Sequence, residues 1–323
     1  MATGGESERF FMGIDLDRAE IKGALVASSG EVARDLSVKI DLATPGAVLA
    51  QLIELVRNLL DFGRPVEGIG IGVPGLVNRK TGRVEMLPNL PELSGSDIVS
   101  EVAHATGLPV TLDNDANAAA YGELQVGIAR GLRDLFCVWI GSGIGAGIII
   151  DGRIYRGATG FAGEFGHTTI DPEGLECACG NIGCLETVAS APNIVRRTRE
   201  RLYRDRTSSL SRLALPRDRE LTVEDIVHEA REGDQMAQVM LERTGMFLGI
   251  ALATVVNLLN VEMITLGGQV MEAGDLILKP AIDEVRRRAF PPSFNNCRIT
   301  IAKLGRLAGV IGAALLARDS LAD

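Results

Sequence analysis

The segment Gly163-Glu164-Phe165-Gly166-His167 is followed, ten residues on, by Cys177-Ala178-Cys179-Gly180-Asn181-Ile182-Gly183-Cys184-Leu185-Glu186. Three of the five cysteines fall in this second stretch, and His167 is one of three histidines in the chain. Zn²⁺ prefers thiolate sulfur and imidazole nitrogen, has no redox chemistry of its own, and takes four such ligands as a tetrahedron. His167, Cys177, Cys179 and Cys184 therefore read as a Cys3His zinc site. Gly180 and Gly183 let the backbone turn tightly enough for the sulfurs to converge. The competing readings are a disulfide or idle thiols. Cys177 and Cys179 are too close to pair comfortably, and the N-terminus does not read as a secretory leader. With all four positions filled by protein the site is closed and structural. A zinc hydrolase, which needs an open position, is disfavoured.

Glu164 and Glu186 flank the ligands. A carboxylate beside a rigid metal knot is placed to hold a substrate hydroxyl. The alternative is a pair of solvated loop glutamates, a common fate for Glu.

Upstream, Phe10 to Leu16 reads as a buried strand, Asp17 to Glu20 as a polar break, Ile21 to Ala27 as a second strand and Val32 to Leu42 as a third. A helix is expected from Pro45 to about Phe62, on apolar residues at helical spacing from Val48 to Leu60. Val66 to Val73 is a strand ending in Pro74-Gly75, Asn78 to Arg83 a turn, Ser96 to Thr106 a helix and Val110 to Leu112 a short strand. That strand runs into Asp113-Asn114-Asp115-Ala116-Asn117, the start of an alanine-rich helix. One Asn or Asp is accounted for as the helix cap. Two aspartates and two asparagines exceed a cap, and a carboxylate at a strand end is a natural general-base position.

The pattern then repeats. Leu135 to Gly141 is a buried strand, Ser142 to Gly145 a turn, Ala146 to Ile150 a strand, Asp151-Gly152 a hairpin turn and Arg153 to Tyr155 a strand. Strand, polar turn, strand, tight turn, strand thus occurs twice, which predicts two domains of similar plan around a cleft. Gly141-Ser142-Gly143-Ile144-Gly145 reads either as a phosphate-binding turn, with backbone N–H groups and the Ser142 hydroxyl as donors, or as a plain β-turn. Downstream, helices are expected at Leu185–Ala189, Ala191–Tyr203, Thr222–Glu232, Asp234 to about Leu259, Leu276–Ala289 and Val310–Leu321. Strands are expected at Glu262–Leu266 and Arg298–Lys303, and residues 204–219 read as an exposed polar excursion. Gly267-Gly268 is a nucleotide contact or a simple strand exit.

The chain has 323 residues and a net charge of −9, with a pI of about 5.1. A nucleic-acid binder should show a basic face or tail, and none is visible. The apolar runs read as too short to span a bilayer. A cytoplasmic protein is expected, with neither membrane nor nucleic-acid partners.

Together these motifs resemble the ROK family of bacterial sugar kinases and sugar-responsive repressors, from about Phe10 to Ala317. The zinc segment carries most of the specificity. Pro74-Gly75, Asn89-Leu90, the Asn114 to Ala119 run, Gly141 to Gly145 and Leu266-Gly267-Gly268 follow in the family's order. The resemblance implies an α/β fold of two actin-like (ribonuclease-H-like) domains around a cleft, residues 1–118 with 306–323 and residues 119–305. It implies Asp115 as the general base on a hexose or N-acetylhexosamine hydroxyl, usually the 6-hydroxyl. Gly75, Asn89, Asn114, Asp115, Glu164, His167 and Glu186 would hold the sugar. Asp15, Gly141, Ser142, Gly143, Gly145, Gly267 and Gly268 would line an ATP site, with Mg²⁺ bridging the phosphates. A homodimer or homotetramer is implied as well.

One stretch departs from the family. Kinases of this group carry Asp-x-Gly-Gly-Thr in the first hairpin, and here it is Asp15-Leu16-Asp17-Arg18-Ala19. The glycines and the threonine are gone and Asp17 adds negative charge where a polyanion should approach, unless Arg18 or Lys22 compensates. Two readings follow. One is an ATP-dependent, glucokinase-like hexose kinase. The other is a kinase-inactive sugar sensor or regulator, without a DNA-binding domain, since only about nine residues precede the first strand.

Overall fold

The computed structural model describes residues 8–17, 19–79, 81–87, 90–204, 207–214 and 220–322. They fall into two compact units. The first is Met1–Arg133 with Gly147–Gly163 and Lys303–Asp323; the second is Asp134–Ala146 with Glu164–Ala302.

In the first unit β1 (Phe10–Leu16), β2 (Glu20–Ala27) and β3 (Val32–Lys39) form an antiparallel meander. Next come α1 (Ala47–Leu60), β4 (Val66–Val73), a small hairpin of β5 (Leu76–Asn78) and β6 (Arg83–Met86), α2 (Ile98–Thr106), β7 (Val110–Asn114) and α3 (Asp115–Gln125). β4 lies parallel to β1 and β7 parallel to β4, giving the order β3-β2-β1-β4-β7.

The second sheet begins with β8 (Leu135–Ile140), β9 (Ile144–Ile150) and β10 (Arg153–Ile154). From Gly147 onward, β9 and β10 are counted with the first unit. The helices α4 (Glu186–Ala189), α5 (Ala191–Leu202), α6 (Leu210–Ala214), α7 (Val223–Arg231) and α8 (Gln235–Leu259) precede β11 (Met263–Gly267). Then come α9 (Asp275–Arg288), α10 (Pro291–Asn296), β12 (Arg298–Ile301) and α11 (Ala308–Ser320), the last returning to the first unit. The order is β10-β9-β8-β11-β12, with β11 parallel to β8 and β12. Each sheet therefore reads third, second, first, fourth, fifth strand, which is the repeat the sequence announces.

Period-two alternation explains how the first sheet is covered. Met12, Ile14 and Leu16 of β1 pack in one cluster with Leu52, Leu55, Val56 and Leu59 of α1. Phe11, pointing the other way, packs with Val310, Ile311, Ala314 and Leu315 of α11. A strand covered on both faces reads as a continuous apolar run, as this one does. On the α11 side, a Cβ on Gly13 would stand 1.7 Å from the Val310 carbonyl oxygen, and one on Gly70 would stand 1.8 Å from that of Ala313. The helix backbone thus rests directly on β1 and β4. A Cβ on Gly312 would likewise overlap the Ala118 carbonyl, so α3 is pressed against α11.

The structure differs from the sequence reading in several places. The division at residues 118/119 cuts α3, which packs on α11 within the first unit, and residues 147–163 return to that unit. β3 stops at Lys39 and α1 starts at Ala47, later than Pro45. The turn after Asn78 is flanked by the β5–β6 ladder. Residues 204–219 are not all exposed loop: Leu210 is fully buried at the start of α6, and Ser208 and Ser209 bond the Asp234 carboxylate. α8 also has the length and apolar content to cross a membrane, contrary to the short-run reading. Its most apolar window is largely buried, however, among α5, α7 and α9.

Candidate functional site

The metal-ligand candidates converge. The ligand atoms of His167, Cys177, Cys179 and Cys184 all lie within 4.8 Å of one another. Cys177 Sγ is 3.6 Å from His167 Nδ1, and Cys179 Sγ is 3.8 Å from Cys184 Sγ. The loop is knitted by backbone bonds: the Cys177 amide donates to Asn181 O at 2.7 Å and the Ile170 amide to Gly183 O at 2.9 Å. Gly183 has φ +71° and its absent Cβ would lie 1.6 Å from Asp171 O, so only glycine fits. Burial pushes the Cys184 thiol up to about 12, while the Asn181 amide holds Cys179 below the usual thiol range. Three sulfurs and one imidazole at this spacing fit Zn²⁺, which would displace the thiol protons on binding.

His167 has two distinct faces. Nδ1 is turned to the thiols, and Nε2 lies 4.0 Å from Glu164 Oε2. A carboxylate on the far nitrogen is the usual device for orienting a metal-bound histidine. Glu164 is about half exposed. Partial burial raises its carboxyl above the usual range; His167 opposes this and Glu186 adds to it. Glu186 begins α4, and its Oε2 accepts the Ile144 amide of the glycine turn at 2.8 Å. Glu164, His167 and Glu186 thus lie together beside the thiol cluster. Within the turn, Ser142 is exposed and the Gly141 amide donates to Gly143 O at 2.9 Å, with Gly145 just inside β9. Gly267 ends β11 under the Trp139 ring, and Gly268, at φ +91°, lies against the Ile140 backbone. Both glycines therefore have a packing reason of their own.

In the first unit, β7 delivers Asp113, Asn114 and Asp115 in succession. Asn114 is the N-cap of α3: its Oδ1 accepts from the amides of Ala116 at 2.9 Å and Asn117 at 3.2 Å. Its Nδ2 donates to Gly75 O at 3.2 Å, so Gly75 contributes a backbone carbonyl here. Asp115 is half-buried at the first position of α3 and accepts the Ala116 amide at 2.8 Å. Desolvation, reinforced by the neighbouring Asp15 carboxylate, pushes Asp115 up to about 7. Asp15 is itself raised to about 6, mainly by burial, against the pull of Lys22 at 3.8 Å. Lys22 also meets Glu20 at 3.3 Å, so one ammonium serves two carboxylates. Asn89 and Arg18, both singled out in the sequence, lie outside the described residues.

Sequence reasoning missed the support beneath Asp115. Asp113 is buried, with Oδ2 held by Arg156 at 2.6 Å and Arg79 at 3.6 Å, and Oδ1 accepting from Asn117 Nδ2 at 3.1 Å. Removing one partner from a buried ion pair costs about 3–5 kcal/mol. A carboxylate at the end of a buried strand signals that a cation must be near, but nothing local to it names Arg156.

The pattern that defines the ROK family matches residues 11–320. The chain belongs to the ROK family. Among relatives of this ROK chain, a glucokinase of Halalkalibacterium halodurans is 35% identical over 97% of the chain and 96% of that protein. A xylose repressor of Caldicellulosiruptor bescii is 36% identical over 85% of the chain and 68% of the repressor. Among solved structures, a ROK family glucokinase from Streptomyces griseus in complex with glucose and AMPPNP superposes with a TM-score of 0.86. It is 32% identical, covering 96% of this chain and 99% of that one. The mixed α/β architecture, with its two sheets of like order, is the actin-like fold of ROK sugar kinases.

Proposed function

We propose that this ROK protein is an ATP-dependent hexose kinase, glucokinase-like, with Asp115 as general base on a sugar hydroxyl. The observation that carries this reading is the Asp115 carboxylate, lifted to about 7 at the N-terminus of α3. A general base works best when its pKa is near the operating pH, so that it is ionised yet basic enough to take a proton. The resemblance to a glucokinase bound to glucose and AMPPNP supports the choice of substrates. Asp115 takes the hydroxyl proton while Asn114, held between the α3 amides and Gly75, keeps its peptide in place. Glu164, His167 and Glu186 hold the remaining hydroxyls. His167, Cys177, Cys179 and Cys184 would hold a Zn²⁺ that fixes the loop carrying these groups, and a bound Mg²⁺ would supply neutralising charge to the phosphates. A coupled assay with ATP, Mg²⁺ and a panel of hexoses and N-acetylhexosamines tests the reading. Turnover with one of them is expected; sugar binding without any turnover overturns it.

A specific observation favours the second reading, a sugar-responsive regulator without kinase activity. Lys22 is shared by Asp15 and Glu20, and the negative charge of Asp17 acts on Asp15, at the hairpin where kinases of the family present two glycines and a threonine. Calorimetry with ATP and a non-hydrolysable analogue separates the two: micromolar nucleotide affinity favours the kinase.

A further inference from the structure

The glycine turn between β8 and β9 is held by a carboxylate. Glu186 Oε2 takes the Ile144 amide at 2.8 Å, and a Cβ on Gly143 would come within 2.7 Å of that same oxygen. Backbone amides in glycine turns are the donors that receive phosphate oxygens, and here one of them is already committed to Glu186. The rest of the turn is held as well. A Cβ on Gly166 would lie 2.3 Å from Ile144 O, and Gly141 O accepts the Ala191 amide at 2.9 Å.

Glu186 is anchored from behind by α5. Its carbonyl accepts Ser190 Oγ at 2.9 Å and Asn193 Nδ2 at 3.0 Å. The next carbonyl, of Thr187, accepts Arg196 at 3.0 Å, and that of Val188 accepts Arg197. A four-residue helix has little stability of its own. These side chains reinforce the single helical bond on Glu186 O, from the Ser190 amide at 3.3 Å, and hold the Glu186 backbone in place beneath its side chain.

We propose that Glu186 is a positioning residue that transmits hexose occupancy to the Gly141–Gly145 turn, one carboxylate oxygen taking a sugar hydroxyl and the other setting the Ile144 amide. The proposal rests on the sugar-site reading above. A sugar on Oε1 fixes the side-chain rotamer, which steadies the Oε2 bond and orders the turn. By linkage, any ligand that needs the ordered turn then binds more tightly in the presence of sugar, by the same factor that it tightens sugar.

The test is amide hydrogen exchange at residues 141–146 in the zinc-loaded full chain, with and without saturating glucose. Glucose should slow exchange of the Ile144 amide at least about fivefold, the lower end of ordinary coupling. Glu186→Ala, and independently Gly143→Ala, should abolish that response at hexose concentrations that restore occupancy. Glu186→Gln should retain it, since its amide oxygen still accepts the bond. Glu164→Gln should weaken sugar binding yet keep the response once occupied. Hexose binding with unchanged exchange at Ile144, or a full response in Glu186→Ala, overturns the proposal alone. Protection without nucleotide binding supports it and overturns the kinase reading. No hexose binding at all overturns both.

Discussion

Asp15 and Asp115 stand at the same end of the first sheet, both next to Gly72. Asp15 is the β1 partner of Gly72 in register, and a Cβ on Gly72 would lie 3.3 Å from the Asp115 Cα. Glycine here lets α3 start close over β4. The consequence is electrostatic: burial raises both carboxylates, Asp15 to about 6 and Asp115 to about 7, and the Asp15 charge adds to the rise of Asp115.

This sets an expected pH dependence. A base must be ionised to act, so kcat/KM for the sugar should rise with pH through a limb near 7. Asp15→Asn removes a like charge and should move that limb downward. Asp115→Asn should lower kcat by about 10²–10⁴-fold while sugar affinity stays within a few-fold, read by coupled assay and calorimetry. A limb unmoved by Asp15→Asn would mean that burial alone lifts Asp115.

The same pair makes a stability prediction of opposite sense to the usual acid denaturation. The folded pKa of Asp115 lies above its unfolded value of 3.8, so the native state binds the proton more tightly than the unfolded chain does. That contribution is complete below about pH 4 and is lost as pH rises through 7. Asp115→Asn, neutral at every pH and still able to accept the Ala116 amide, should therefore stabilise the protein at pH 8 relative to pH 4. About 1–2 kcal/mol is expected for a half-buried group, after discounting the shift for solvent screening. Thermal unfolding of both proteins at the two pH values measures it.

Two glycines in the metal loop predict different costs. Gly180, at φ +88°, has nothing within 4 Å of an added Cβ, so Gly180→Ala carries only the left-handed backbone penalty of about 1–2 kcal/mol. In Gly183→Ala the Cβ would also meet Asp171 O at 1.6 Å, forcing Cys184 away from its partners. Metal analysis should find about one zinc per chain in the wild type and Gly180→Ala, and well below that in Gly183→Ala. Chelation should loosen residues 164–190 and weaken sugar binding, read by hydrogen exchange and calorimetry.

The parts of this structure that were legible in the sequence are those written in one continuous stretch. β1 is an apolar run because α1 and α11 cover the two faces of its sheet, β8 is a buried run of the same kind, and the candidate zinc ligands are rare residue types at fixed spacing. The contacts that were not legible join distant segments. Arg156 reaches Asp113 across 43 residues and Glu186 reaches Ile144 across 42. Each of these side chains has an ordinary exposed alternative, and only the packing selects the partner. The short helices α6 and α10 were missed for a related reason. Five or six residues carry too little periodicity, and it is burial of Leu210, or a proline at the helix start, that fixes them.

The first hairpin supplies the last prediction. Asp17, Arg18 and Ala19 occupy the places of Gly, Gly and Thr in the kinase motif, and the described residues around them carry more acid than base. Lys22 meets Asp15 at 3.8 Å and Glu20 at 3.3 Å, so its one charge is already shared between two carboxylates. A unit charge about 4 Å from a phosphate charge costs about 4 kcal/mol at an effective dielectric of 20. Salt and solvent reduce that figure, but a fraction of it is still a factor of ten or more. Restoring the motif with Asp17→Gly, Arg18→Gly and Ala19→Thr together should lower the dissociation constant for a non-hydrolysable ATP analogue by about 10–100-fold. Calorimetry at two salt concentrations measures the change, and the gain should shrink at the higher one, because the repulsion it removes is screened. An affinity that does not change would show that the phosphates meet other groups and that the altered hairpin is neutral.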